Sequence, residues 1–417
     1  MMAVKIQNKN FHEIAYACIC IGLVYSMLFL TYLNSILSIL LVAYWLIFSK
    51  KEFIISSQKT KLLILFISLY IIGIVGMIYT ENINAGIATL KTQSAILFFP
   101  VVFGTTSVLS QSLIRKIMTH FLIATALACI SGLGYGLYNY FQTNNIEQLT
   151  GAHILIFHGF RPVLMSLFCL LAIIIAFEKI AATSKKTKWI LYVLIGILTL
   201  MIFLLSIRLM IICWFFLVLY FFMMKIKQGL HRIILIVLAI SILIISAFII
   251  PSVNRQWNEL FDFSGNSTIV LDKDSSLNKS WGGKALRVAI WKCSSGILEK
   301  NWLIGVGTGD VQDSLQRAYE NRKFYFASMY NKYNAHNEYL QITLANGLPG
   351  LLILLACIFY PLLHYRKKNS GNTYFLFLLL FAVVGMTESI LEVNKGIIWY
   401  SFLNSIFAFG YLKSDKK

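Results

Sequence analysis

Three ionisable residues of this 417-residue chain stand where their types and surroundings could do chemistry: His336, Arg208 and Arg287. His336 is followed by Asn337 and Glu338 at the start of a helical run, where the helix dipole favours a bound anion and a neutral imidazole. An imidazole that titrates near neutrality suits removal of a proton from a hydroxyl. Its competing reading is a structural histidine. Arg208 is the only Lys or Arg between Ile190 and Met224. A charge near a bilayer centre costs roughly 3 kcal/mol on insertion scales and marks function, whereas one that snorkels to the interface merely ends a span. Arg287 lies on a run with one apolar side, and its guanidinium suits bidentate contact with phosphate oxygens. A solvated helix face is the alternative.

Weaker candidates surround these three. Glu388 and Glu392 lie in a polar hinge near the C-terminus. Of the two, Glu388 borders the membrane and is the stronger candidate to assist His336 or bind an acceptor. His153, His158 and Arg161 share one connection; they could hold a polar headgroup or belong to a capped re-entrant loop. Asp272-Lys273-Asp274 has the DxD form of metal-dependent glycosyltransferases but falls in a polar linker, so no metal site is expected. Gly305-Val306-Gly307-Thr308-Gly309 lacks dinucleotide spacing and a preceding strand, and reads as a turn. The seven cysteines show no ligand spacing; six fall in apolar stretches and only Cys293 in a polar one, so packing is expected of them all.

The elements that must position these residues are apolar helices. Hydrophobic residues make up 58% of the chain and charged ones 13%, with a mean hydropathy of +0.75. Soluble domains carry about a quarter charged residues, so the fold class is an all-α integral membrane protein. A span needs roughly 20 apolar residues. Twelve candidates run near 14–32, 34–48, 62–79, 93–108, 118–140, 162–178, 189–206, 209–224, 233–250, 348–363, 373–388 and 396–412. The organisation is therefore helices 1–9 over 1–250, an external segment over 251–347, and helices 10–12 over 348–417. The first span has no small-residue cleavage site after it, so it reads as retained.

Basic residues set the orientation. The N-terminus, alternate connections and the C-terminal tail hold 21 of the 36 Lys and Arg against 4 acidic residues, while the opposite side is nearly neutral. Both termini are expected in the cytoplasm and the long segment outside. The same bias explains most of the +19 net charge without nucleic acid, since no basic stripe with interleaved aromatics lies on a soluble face. Within the long segment, Ala285 to Lys300 is helical in period, 264–283 reads as a linker, and a second helix is expected over 311–321. A short helix from His336 should stop at Asn346-Gly347, with Pro349 in the first turn of the next span.

Taken together, His336-Asn337-Glu338-Tyr339-Leu340 and Asn346-Gly347-Leu348-Pro349-Gly350-Leu351 resemble the signature of the O-antigen ligase family, which includes O-antigen polymerases and bacterial protein O-oligosaccharyltransferases. Arg287-Val288-Ala289-Ile290-Trp291 with Leu303-Ile304-Gly305-Val306-Gly307-Thr308-Gly309-Asp310 is similar to its second arginine region, and Leu204-Leu205-Ser206-Ile207-Arg208 to its first. Family members often have Ser directly before the first arginine; here Ile207 intervenes.

The resemblance implies an inverting, metal-independent, cofactor-free glycosyltransferase of the GT-C type in the bacterial inner membrane, with its active site facing the periplasm. Its donor would be a glycan on undecaprenyl diphosphate and its acceptor a lipid A-core sugar. Arg208 and Arg287 would bind the diphosphate and His336 would activate the acceptor hydroxyl, with Arg161, Asn337, Glu338 and Glu388 as substrate-binding candidates. A polymerase or a protein oligosaccharyltransferase would differ only in acceptor. A twelve-span transporter or flippase is the rival from another class. Such folds usually repeat internally, and 1–208 does not match 209–417.

Overall fold

The computed structural model describes residues 2–49, 57–106, 109–181, 183–225, 283–365 and 372–411. The expected span at 233–250, most of the linker and the Asp272-Lys273-Asp274 string lie outside them. Every regular element among the described residues is helical: α1 (Met2–Phe29), α2 (Tyr32–Phe48), α3 (Ser57–Gly76), α4 (Ile83–Gln93), α5 (Ala95–Thr105), α6 (Gln111–Thr143), α7 (Pro162–Ala181), α8 (Lys185–Leu205), α9 (Arg208–Lys225), α10 (Gly283–Asn301), α11 (Val311–Asn321), α12 (Glu338–Tyr365), α13 (Asn372–Gly385) and α14 (Asn394–Tyr411), joined in places by short 3₁₀ and π turns. Seven stretches among the described residues are long and apolar enough to cross a bilayer, and three shorter apolar helices accompany them. The chain is a multi-pass helical membrane protein.

The chain divides into two compact units. In the unit formed by Cys20–Leu33 and Arg115–Phe263, α7 packs against α8 and α9. From Leu164 to Ile175 every residue of α7 is buried. A helix apolar on all sides belongs inside such a bundle. The α8 helix stops at Ser206, which adopts a left-handed φ of 57° and turns its hydroxyl back to donate to the Phe203 carbonyl. Arg208 opens α9 immediately afterwards.

In the other unit, α3 packs against α5 and α12, and α14 packs against α5. Ring contacts such as Phe99 with Phe402 at 5.5 Å fill the space between them. The helices α10 and α11 enclose a small core of Ala289, Ile290, Cys293, Val311, Leu315 and Tyr319, with Leu286, Ile297 and Leu298 packed on it. That is the side of 285–300 that the helical period picks out. Cys293 is one of its packing groups, as expected of a thiol with no metal or disulfide partner.

The glycine string and the break in α12 are one device. At Gly347 the backbone leaves the helix with φ 63° and ψ −156°. Pro349 has no N–H to give the Ala345 carbonyl, so the Gly307 N–H donates there at 3.1 Å. The Val306 N–H takes the Leu344 carbonyl at 2.7 Å, and the Leu348 N–H donates to the Trp302 carbonyl at 2.9 Å. A Cβ at Gly347 would lie 2.2 Å from the Leu303 oxygen, so only glycine fits. Asp310 completes the fastening: its carboxylate accepts from the N–H groups of Glu81 and Asn82, both at 2.7 Å. The segment between α10 and α11 is thereby stitched to the ends of α3, α4 and the first part of α12.

One boundary differs from expectation. The sequence reads 80–85 as a turn before a span at 93–108, but α4 already starts at Ile83, capped by the Asn82 side chain that accepts from the Ala85 N–H. Lys91, Thr92 and Gln93 interrupt the apolar run without interrupting the helical path, and Ile83–Thr105 forms one span-length stretch.

Candidate active site

The His336 loop is built by its neighbours on three sides. Its carbonyl at Ala335 accepts the Trp291 indole N–H at 3.1 Å, and the carbonyl of Tyr333 accepts the Tyr319 hydroxyl at 3.1 Å. The Ala335 N–H donates to the Gln341 side chain. These contacts force His336 itself into left-handed backbone, φ 45°. Such a conformation costs a non-glycine residue on the order of 1–3 kcal/mol and clusters at functional sites. The His336 N–H is satisfied locally by the Asn334 side chain.

Asn337 and Glu338 then fasten this loop to the hinge between α13 and α14. Asn337 is the N-cap of α12, accepting from the Leu340 N–H at 3.0 Å. Its backbone N–H donates to the Ser389 hydroxyl and its side-chain amide to the Met386 carbonyl. Glu338 is buried, and its carboxylate accepts the Leu391 N–H at 2.8 Å. Both residues are thus engaged in holding 386–391 beside His336.

What the hinge delivers is Glu388. One carboxylate oxygen accepts from Arg287 Nη2 at 2.6 Å; the other lies 3.4 Å from His336 Nδ1. The Arg287 Nε–H donates to the Thr387 carbonyl and Nη1 to the Gly283 carbonyl, so among the described residues three of its five N–H donors are engaged and two remain. Glu388 shows 15% of its side chain to solvent, His336 20% and Arg287 31%. His336 Nδ1 itself is buried, so the accessible part of the ring lies elsewhere. Burial alone would raise the Glu388 pKa, but the His336 and Arg287 contacts outweigh it and hold the carboxyl below its usual range. The three side chains form a chain of alternating charge character, guanidinium to carboxylate to imidazole.

Residues 171–355 match a family model described as O-antigen ligase, a stretch that contains Arg208, Arg287 and His336. Over that stretch the chain is similar to the O-antigen ligase family. No curated protein matches it. The match supports a function of the O-antigen ligase and polymerase type, whose members are glycosyltransferase-like enzymes.

Of the ligase-family residues expected from sequence, the structure brings together His336, Arg287 and Glu388, with Asn337 and Glu338 as fasteners. Arg208 and Arg161 belong to the other unit. Arg208 is half-buried at the first position of α9, and Arg161 is exposed directly before Pro162 opens α7. The Gly151 N–H donates to the Leu204 carbonyl at 2.9 Å, which ties the loop before Arg161 to the end of α8. Trp291, Tyr333 and Ser389 were not singled out by sequence, although Trp291 closes the second arginine string. A half-buried indole that must donate is the signal that could have found it. Among the described residues, no group of three or more His, Cys, Asp or Glu side chains could hold a metal.

Proposed function

We propose that this protein is an O-antigen ligase that transfers a glycan from undecaprenyl diphosphate to a lipid A-core sugar, with inversion and without a metal, on the periplasmic face of the bacterial inner membrane. The observation that carries the proposal is the Arg287–Glu388–His336 arrangement, in which a hinge carboxylate joins two residues of the matched stretch.

The chemistry follows from the atoms. His336 takes the proton of the acceptor hydroxyl as the oxygen attacks the anomeric carbon. The carbon–oxygen bond to the diphosphate breaks on the opposite face, and the leaving group departs with the electron pair. As the imidazole becomes charged, the Glu388 carboxylate beside Nδ1 stabilises it, the role an oriented carboxylate plays beside a histidine base. Arg287 keeps that carboxylate ionised and offers its two uncommitted N–H groups to the diphosphate. The family resemblance adds Arg208, which opens α9 in the other unit, as a second cation for the diphosphate. Charge that develops on a leaving group is where preorganised cations lower a barrier most.

Purified protein given carrier-linked glycan and lipid A core tests the proposal. Glycan covalently joined to lipid A core supports it. Glycan lengthened only on the carrier indicates a polymerase, and movement of the carrier lipid without a covalent product indicates a flippase.

A further inference from the structure

A cavity of about 110 Å³ lies in the unit that holds His336, walled by Thr89 and Gln93 of α4, Gln312 of α11, Glu338 and Gln341 of α12, and Glu392 of the hinge. At a share of about 30 Å³ per water molecule, it has room for the hydroxyl-bearing edge of one sugar ring and none for a longer glycan. Among its lining residues there are two carboxyl groups, four carboxamides and no Lys, Arg or His. Each carboxylate in an enclosed space needs hydrogen-bond donors. Glu338 receives one from the Leu391 N–H. The lining offers acceptors and amides but no cation to hold a phosphate, which suits neighbouring hydroxyls. Apolar stacking faces such as Leu69 and Ile342 complete the wall.

The placement couples this cavity to the base. Glu338 lies two residues beyond His336 and Glu392 four beyond Glu388, so the two segments that hold the His336–Glu388 pair also wall the cavity. We propose that it is a sugar subsite, taking the hydroxyl edge of one monosaccharide of the donor glycan or of the acceptor while excluding the diphosphate. The assignment to one of those substrates rests on the transferase reading above.

Thr89 lines the cavity and has no part in the base or the cation set, so it can report occupancy. In purified Thr89→Cys protein, a small cationic thiosulfonate should modify the new thiol above the background of the parent's own cysteines. Carrier-linked glycan, lipid A core, free monosaccharides and inorganic pyrophosphate are then tested as protectants. Slowing of about tenfold by carrier-linked glycan assigns the donor sugar, and by lipid A core the acceptor sugar. Free monosaccharides should protect at high concentration and pyrophosphate should not. Protection by free sugars in a protein whose parent transfers no glycan keeps the subsite and removes the transferase reading. A thiol that no sugar protects, that pyrophosphate protects, or that stays unreactive throughout overturns the subsite even where the parent is active.

Discussion

Glu388 stands between a cation and an imidazole: its two carboxylate oxygens lie 2.6 Å from Arg287 Nη2 and 3.4 Å from His336 Nδ1. One side chain from the C-terminal hinge thereby connects two family motifs about fifty residues apart. Glu388→Gln keeps the shape and loses the charge, so it should fold normally and transfer about 10²-fold more slowly, the lower end of what acid–base assistance contributes. Glu388→Asp should recover part of that loss. Steady-state kcat measures both, and an unimpaired Glu388→Gln removes the carboxylate from the mechanism.

Arginine geometry makes a separate expectation. Arg287→Lys replaces a planar fork by a point charge that cannot serve Glu388, Thr387 and a diphosphate together. Its transfer rate should fall by at least about tenfold, or roughly 1.4 kcal/mol. Arg208→Lys should be similarly defective. Near-normal turnover in both variants would withdraw the diphosphate assignment, and both are read in the same transfer assay.

Asn337 and Glu338 separate fastening from substrate binding. The Glu338 carboxylate accepts a backbone N–H, which a glutamine oxygen can also do, so Glu338→Gln should retain most activity while Glu338→Leu loses it along with thermal stability. If Glu338→Gln loses kcat at unchanged stability, Glu338 works on substrate.

Much of this was legible in the sequence, and the reasons differ by element. The helix over 285–300, the break at Gly305–Asp310, the helix at 311–321 and the stop at Gly347 follow from apolar period and from glycine and proline chemistry, which act locally. His336 and Arg287 are legible through their motifs. The choice of Glu388 over Glu392 rested on nearness to the membrane, whereas the structure supplies a different ground: Glu388 touches His336 and Arg287, while Glu392 lines the cavity. Asn337 and Glu338 stand out through their motif, whereas their hydrogen bonds to the 386–391 hinge are long-range contacts that the motif does not show. The stitching of Asp310 to Glu81 and Asn82 spans more than two hundred positions, and no local pattern encodes it.

Two carboxyls in the hinge titrate in opposite senses. Burial pushes Glu392 up to about 7, against a smaller lowering by the Gln341 hydrogen bond. A carboxyl raised on folding holds its proton better in the folded state, so its contribution to stability fades as pH rises from the ordinary carboxylate range through about 7. Glu388 is held low, so its contribution is present above the ordinary range and fades as pH falls through its folded value. The melting temperature in detergent should therefore decline between mildly acidic and mildly basic pH, and Glu392→Gln should flatten that decline. An unchanged slope in the variant would show that Glu392 is not the group responsible.

Transfer by purified His336→Ala, measured with carrier-linked glycan and lipid A core at wild-type folding and expression, decides whether this imidazole is the base. Loss of transfer to background is the predicted result; substantial turnover would contradict it.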